Sequence, residues 1–258
     1  MLRELIAAAV VSSSIAVKPG WAEEKKEKKE PPRVTMVVPL GVVAGTTNTI
    51  LIRGLSLTNA TEIRFPQAKF SVEWKIKSKG KADVPKDQDA KKIGDTQVEL
   101  DLAVRPETPE GTLSFTVITP EGETEPHSVL IFDGRSLILE KEPNGGFRTA
   151  QEISLPQTVQ GSIREANDVD VFRFEGRAGQ KIKAEVLAAR YGSALDSLLT
   201  LYDAGGHILS SNDDHAGSRD SLLQVALPSD GLYLLSLVDA QDRGSPAHVY
   251  ELVVGVEK

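Results

Sequence analysis

Between Arg33 and Phe132 the chain alternates apolar and polar residues in short runs, most of them closed by glycine or proline. Val34-Thr35-Met36-Val37-Val38 stops at Pro39, Thr49-Ile50-Leu51-Ile52-Arg53 at Gly54, and Glu62-Ile63-Arg64-Phe65 at Pro66. The runs 70–76, 97–104, 113–118 and 128–132 are further short strand-like segments, and Pro109-Glu110-Gly111 supplies a turn before the third. A period of two puts successive side chains on opposite faces of a strand, and seven such runs separated by turn residues predict a β-sandwich. Trp74 shares parity with Val72 and Ile76, which assigns it to the core. Residues 77–92, rich in Lys and Asp, read as a loop.

Gly134, Pro143-Asn144 and Gly145-Gly146 mark a boundary, and the grammar then resumes. Strands are predicted at 159–163, 169–175, 181–188, 198–202, 207–210, 222–227, 232–238 and 249–256. Asp203-Ala204-Gly205-Gly206 and Pro228-Ser229-Asp230-Gly231 supply turns between them. No segment carries a long helical period. The expected fold class is all-β, with two consecutive sandwiches at residues 33–135 and 140–258.

The N-terminus changes the picture of location. Arg3 precedes an apolar run from Leu5 to Val17, and Gly20-Trp21-Ala22 ends on a small residue. Residues 1–22 therefore read as a secretory signal, with a run too short to span a bilayer. Residues 23–32, EEKKEKKEPP, read as a charged linker. The expected location is secreted or periplasmic, with no membrane span once the signal is cleaved. A net charge of −7 and an aromatic content of 5% argue against a nucleic-acid partner. The absence of cysteine excludes thiol chemistry and thiolate metal sites.

Candidate chemistry gathers on carboxylates. In REANDVDVFRF, Asp168 and Asp170 stand two apart, with Phe172 and Phe174 on the same parity. Three readings are open for this pair: a metal site, a catalytic pair of the glycosidase kind, or a plain strand-entry turn. A second acidic group, Asp196, Asp213, Asp214 and Asp220, lies in and around SSNDDHAGSRDS. It lacks the spacing of an EF-hand loop and reads as a solvated loop or a weaker cation site. His127, His207, His215 and His248 show no paired metal-ligand spacing. No nucleophile elbow or phosphate-binding loop is spelled anywhere. Tyr233 shares parity with Leu235 and Leu237 and is assigned to the core.

The stretch from about Glu140 to Val256 resembles the bacterial pre-peptidase C-terminal domain. The resemblance is carried by Glu142-Pro143-Asn144, Gly161-Ser162-Ile163, the strand from Asp168 to Phe172 and Ala178-Gly179-Gln180. It continues through Gly192–Asp196, Leu201-Tyr202-Asp203, Asn212-Asp213-Asp214, Asp220-Ser221 and Asp230-Gly231-Leu232-Tyr233. Residues 33–135 resemble, more loosely, an immunoglobulin-like module of the IPT/TIG kind, through Val38-Pro39, Ile52–Leu55 and Val117–Gly122. The first resemblance implies a compact, jelly-roll-like sandwich of the sort appended to secreted hydrolases. It also implies a Ca²⁺ site, which falls here on Glu142, Asn144, Asp168 and Asp170. No protease domain is read in these residues. The expectation is an exported, non-catalytic binding or adhesion module with a protein or polysaccharide ligand. The alternatives are a substrate-binding accessory to a secreted peptidase or glycoside hydrolase, and a secreted hydrolase using acidic loop residues.

Overall fold

The computed structural model describes residues 31–84, 86, 88–134 and 137–257. The signal expected at residues 1–22, and the charged linker up to residue 30, lie outside the described residues. The first half holds β1 (Arg33–Val38), β2 (Gly41–Val43), β3 (Thr47–Leu55), β4 (Glu62–Arg64) and β5 (Val72–Lys81). A single turn of helix, α1 (Ala90–Ile93), precedes β6 (Thr96–Val104), β7 (Gly111–Thr119), β8 (Gly122–Glu123) and β9 (His127–Phe132). The second half holds β10 (Leu137–Leu139), β11 (Gln151–Glu152), β12 (Gln157–Ser162), β13 (Asp170–Gly176) and β14 (Lys181–Leu187). After a 3₁₀ turn at Ala189–Tyr191 come β15 (Ser197–Asp203), β16 (Ile208–Asn212), β17 (Leu222–Ala226), β18 (Gly231–Asp239) and β19 (Val249–Val256).

These strands form four sheets. In the first sandwich the order β1-β3-β6-β5 faces β2-β9-β7-β4, with β8 on the side of β7. In the second, β10-β12-β19-β14-β17 faces β11-β13-β18-β15-β16. The alternation read in the sequence is visible in β6, where Thr96, Val98, Leu100, Leu102 and Val104 are buried and the intervening residues are not. Each sandwich closes over its own core. Ile50, Ile52, Leu100, Phe115 and Val117 anchor the first, and Phe172, Phe174, Tyr233, Leu235 and Tyr250 the second.

Two expectations are corrected. β5 continues to Lys81, so the first part of the segment read as a loop is strand. A bulge between Ile76 and Ser78 breaks the strict period there, and charged side chains cover this outer strand. Trp74 is 36% exposed, because β5 lies at the sheet edge with no strand beyond it. Tyr233, by contrast, is buried in the core.

A third apolar cluster joins the two sandwiches. Met36, Leu40, Ile93, Leu130 and Phe132 of the first pack with Ala247 and Val249 of the second, and Leu187 and Tyr191 lie at its margin. Gly192 lies close against the first sandwich. It leaves the 3₁₀ turn with φ +92°, and a Cβ there would meet the Thr35 carbonyl of the first sandwich at 2.5 Å. Gly192→Val is therefore expected to separate the sandwiches and lower the unfolding midpoint by several degrees, since backbone cannot yield as a side-chain tip can. Small-angle scattering checks it: an unchanged radius of gyration together with an unchanged midpoint contradicts this account of the interface.

Candidate metal centre

The chain leaving β10 carries Glu140, Glu142 and Asn144 at alternate positions, and it runs beside the start of β13. The Val171 amide donates to the Asn144 carbonyl at 3.1 Å, and the Glu140 amide to the Gln160 carbonyl at 2.9 Å. Glu140 Oε2 accepts the Ser162 amide at 2.8 Å, and Glu142 Oε2 accepts the Asn144 amide at 3.1 Å. Asp170 opens β13 opposite Leu237 and is fully buried, on the same face as Phe172 and Phe174. Its Oδ2 accepts the Tyr250 hydroxyl at 2.7 Å, from a strand of the facing sheet. One carboxylate oxygen from each of Glu140, Glu142 and Asp170 lies within 4.8 Å of the others.

Gly161 makes room for this arrangement. It pairs with Tyr250 in register, and a Cβ on it would collide with the Tyr250 hydroxyl and with Glu140 Oε2. Only glycine lets the phenol and the carboxylate meet across β12.

Burial and the nearness of the two carboxyl groups dominate the electrostatics. Burial pushes the Asp170 carboxyl up to about 8, and the Glu140 charge adds to the rise while the Tyr250 hydroxyl opposes it. Burial also raises Glu140, against the pull of the Ser162 amide. Two carboxyl groups this close in an apolar surround titrate as a pair. Asp170 Oδ1, Glu140 Oε1 and both polar atoms of the Asn144 amide are buried with no hydrogen-bond partner among the described residues. Buried polar atoms are nearly always paired, so the three oxygens among them, on Asp170, Glu140 and Asn144, are available to a ligand, while Asn144 Nδ2 is a donor that a cation does not take. The donors with carboxylate or amide oxygen suit a hard cation such as calcium, which takes six to eight oxygens. Glu142 is exposed and leaves one side of the group open to solvent.

Asp168 has a different task from Asp170. It follows Asn167, whose φ is +65°, and its Oδ2 accepts the Arg164 amide at 2.7 Å. It closes the turn that feeds β13 and stands outside the group of three. The reading of Asp168 and Asp170 as a matched pair on one strand face fails because β13 begins only at Asp170. Glu140 was not among the residues singled out from the sequence. Its signal was present: Glu140, Glu142 and Asn144 repeat the two-residue spacing of Asp168 and Asp170.

The second acidic group is dispersed. Asp220 is buried against Arg190 Nε at 2.6 Å and accepts the Ala189 amide at 2.6 Å. Asp196 accepts from Gln241 at 2.7 Å, while Asp213 and Asp214 are exposed. None of the four belongs to a potential metal-holding group among the described residues.

Comparison with known proteins agrees with the second sandwich. Residues 168–238 match the family model of the bacterial pre-peptidase C-terminal domain. Residues 168–238, the greater part of the second sandwich, are similar to that domain. The match begins at Asp168 and runs through β18, so Glu140 and Glu142 enter from the segment just before it. A probable subtilase-type serine protease of Deinococcus radiodurans is 40% identical over 99 residues, which is 37% of this chain and 14% of that protein. The chain thus corresponds to a small part of that relative. Among solved structures, the pre-peptidase C-terminal domain of a Bacillus anthracis collagenase aligns with 20% identity and a TM-score of 0.34, covering 41% of this chain and 93% of that one. PliG of Aeromonas hydrophila, a periplasmic inhibitor of g-type lysozyme, aligns with 16% identity and a TM-score of 0.32 over 47% of this chain and 99% of that one.

Proposed function

We propose that this protein is an exported, non-catalytic accessory module, associated with secreted peptidases, whose second sandwich is held together by a calcium ion. Glu140, Glu142 and Asp170 supply charged oxygens, and Asn144 a neutral one. The observation that carries the reading is the buried acidic group with orphaned oxygens. Three carboxylates are brought together with only the Arg164 charge acting on Glu140 among the described residues, an arrangement that a bound cation would offset. The kinship of the second sandwich with a domain found in a subtilase-type protease supports the accessory role. The apolar run at residues 5–17 supports export. Among the described residues no helix is long and apolar enough to cross a membrane.

Two surface cavities, of about 790 and 690 Å³, are lined by residues other than Glu140, Glu142 and Asp170. Carboxylates outside those two cavities, with Glu140 and Asp170 buried, favour a structural cation over hydrolysis. The test is thermal unfolding in calcium and in metal-free buffer, with magnesium as control. Calcium is expected to raise the midpoint in a concentration-dependent way and magnesium to do so far less, since it demands tighter octahedral geometry. A midpoint indifferent to calcium over the millimolar range removes the metal from this reading.

A further inference from the structure

The larger cavity, of about 790 Å³, opens between the two sandwiches, and its charge is unlike that of the chain. The whole sequence has 37 acidic and 30 basic residues. Among the described residues the cavity lining carries Arg33, Lys91 and Lys92 from the first sandwich and Arg219 and Arg243 from the second, against one acid, Asp89. Asp89 is already engaged: its carboxylate accepts the Lys91 amide at 2.9 Å. Of the five cations only Arg243 has a carboxylate partner among the described residues, Asp239 at 3.6 Å. Arg33 donates to the Lys91 carbonyl and Arg219 to the Ala194 carbonyl at 3.4 Å, so both guanidinium groups are oriented without being neutralised. The Lys91 and Lys92 ammonium groups have no partner among the described residues.

The floor of the cavity is built and partly apolar. Met36 and Ile93 are buried there, and His248 is fixed by Ser245 Oγ at 2.9 Å from Nδ1. Burial and two nearby arginines, Arg243 and Arg219, keep the His248 pKa low against the pull of Asp239, so the imidazole adds no charge of its own near neutrality. A cleft walled by protein and lined by one sign of charge concentrates ions of the opposite sign. Its volume falls in the range of small-ligand sites, which gather at domain interfaces.

We propose that this inter-sandwich cleft binds an organic polycarboxylate, its carboxylates on the arginine and lysine side chains and its carbon skeleton over Met36 and Ile93. Arginine forks fit carboxylate and phosphate geometry alike, and the apolar floor favours the carboxylate, because bare phosphate has nothing to lay on it. The site draws on both sandwiches, so binding also ties their relative position.

Titration calorimetry in metal-free buffer at constant ionic strength tests this, with triglutamate, triglutamine and inorganic phosphate as probes. Triglutamate is expected to bind and triglutamine not to. The double variant Lys91→Gln/Lys92→Gln is expected to weaken triglutamate about tenfold. Both lysines are exposed and their ammonium groups have no partner among the described residues, so its unfolding midpoint should match the wild type. Arg219→Gln, on the other sandwich, should weaken binding by a similar factor. Binding unchanged in both variants, or no heat with triglutamate at millimolar concentration, overturns the proposal. Phosphate binding as tightly as triglutamate overturns the assignment to a carboxylate ligand.

Discussion

Asp170→Asn is expected to leave the protein folded, blind to calcium and, without calcium, more stable than the wild type at pH 8. In the wild type, calcium at about 100 times its dissociation constant should add about 2.7 kcal/mol, roughly 10 °C for a sandwich of this size. Asparagine keeps an oxygen for the Tyr250 hydroxyl but withdraws the charge that a hard cation requires. The gain without calcium follows from the same geometry. The Asp170 carboxyl is pushed up to about 8 by burial and by Glu140, so the folded state holds a proton that the unfolded state has released. That stability is complete below the unfolded carboxyl range near pH 4 and is lost as pH rises toward 8. Replacing the carboxylate removes the loss, on the order of 1–3 kcal/mol. Glu140→Gln should behave alike. Asp168→Asn should keep the calcium response, because Asp168 serves the Arg164 amide and stands outside the group. Calorimetric scans of the three variants with and without calcium decide it. A full calcium response in Asp170→Asn, or its loss in Asp168→Asn alone, contradicts the assignment.

Much of this was legible from the chain because strand parity is a local property. Phe172, Phe174, Tyr233 and Leu235 fall on the core faces that alternation gives them. Parity failed where pairing, not local pattern, sets exposure: Trp74 alternates correctly but sits on an edge strand interrupted by a bulge. The short strands β2, β10 and β11 escaped notice because each has two or three residues and gains its place only through parallel pairing with a distant strand. The metal group divides in the same manner. Asp170 stood out by residue type and spacing, and Glu142 through the family resemblance. The exclusion of Asp168 depends on a turn that begins β13 one residue after Val169, and the inclusion of Glu140 on its register against Ser162. The cationic cleft was invisible in a chain of net negative charge, since its five basic residues come from positions 33 to 243 and meet only when the sandwiches dock.

Glu251→Gln is expected to flatten the pH profile of stability that remains when calcium is saturating. Glu251 lies on β19, fully buried where the second sandwich meets the first. Gln160 donates to its Oε1 at 2.7 Å and also lies 3.4 Å from the Gly41 carbonyl, while Oε2 has no hydrogen-bond partner among the described residues. Burial pushes the carboxyl up to about 8, the Gln160 bond opposing. The folded protein therefore holds one more proton than the unfolded chain between about pH 4.5 and pH 8. Stability is complete below that window and falls as pH rises through it, before levelling above the folded pKa. Without calcium, Asp170 adds a second proton to the same slope, so the profile should be steeper in metal-free buffer. Calcium removes only the Asp170 part, because a bound cation holds that carboxylate ionised. Glutamine at 251 can still accept the Gln160 bond and carries no charge to bury. The variant should match the wild type at pH 5 and exceed it by several degrees at pH 8.5, with the difference growing between. Chemical denaturation across this range, in calcium, reads the slope directly. Parallel profiles for Glu251→Gln and the wild type would mean that Glu251 is ionised throughout, and that the seam between the sandwiches carries a charge it can accommodate.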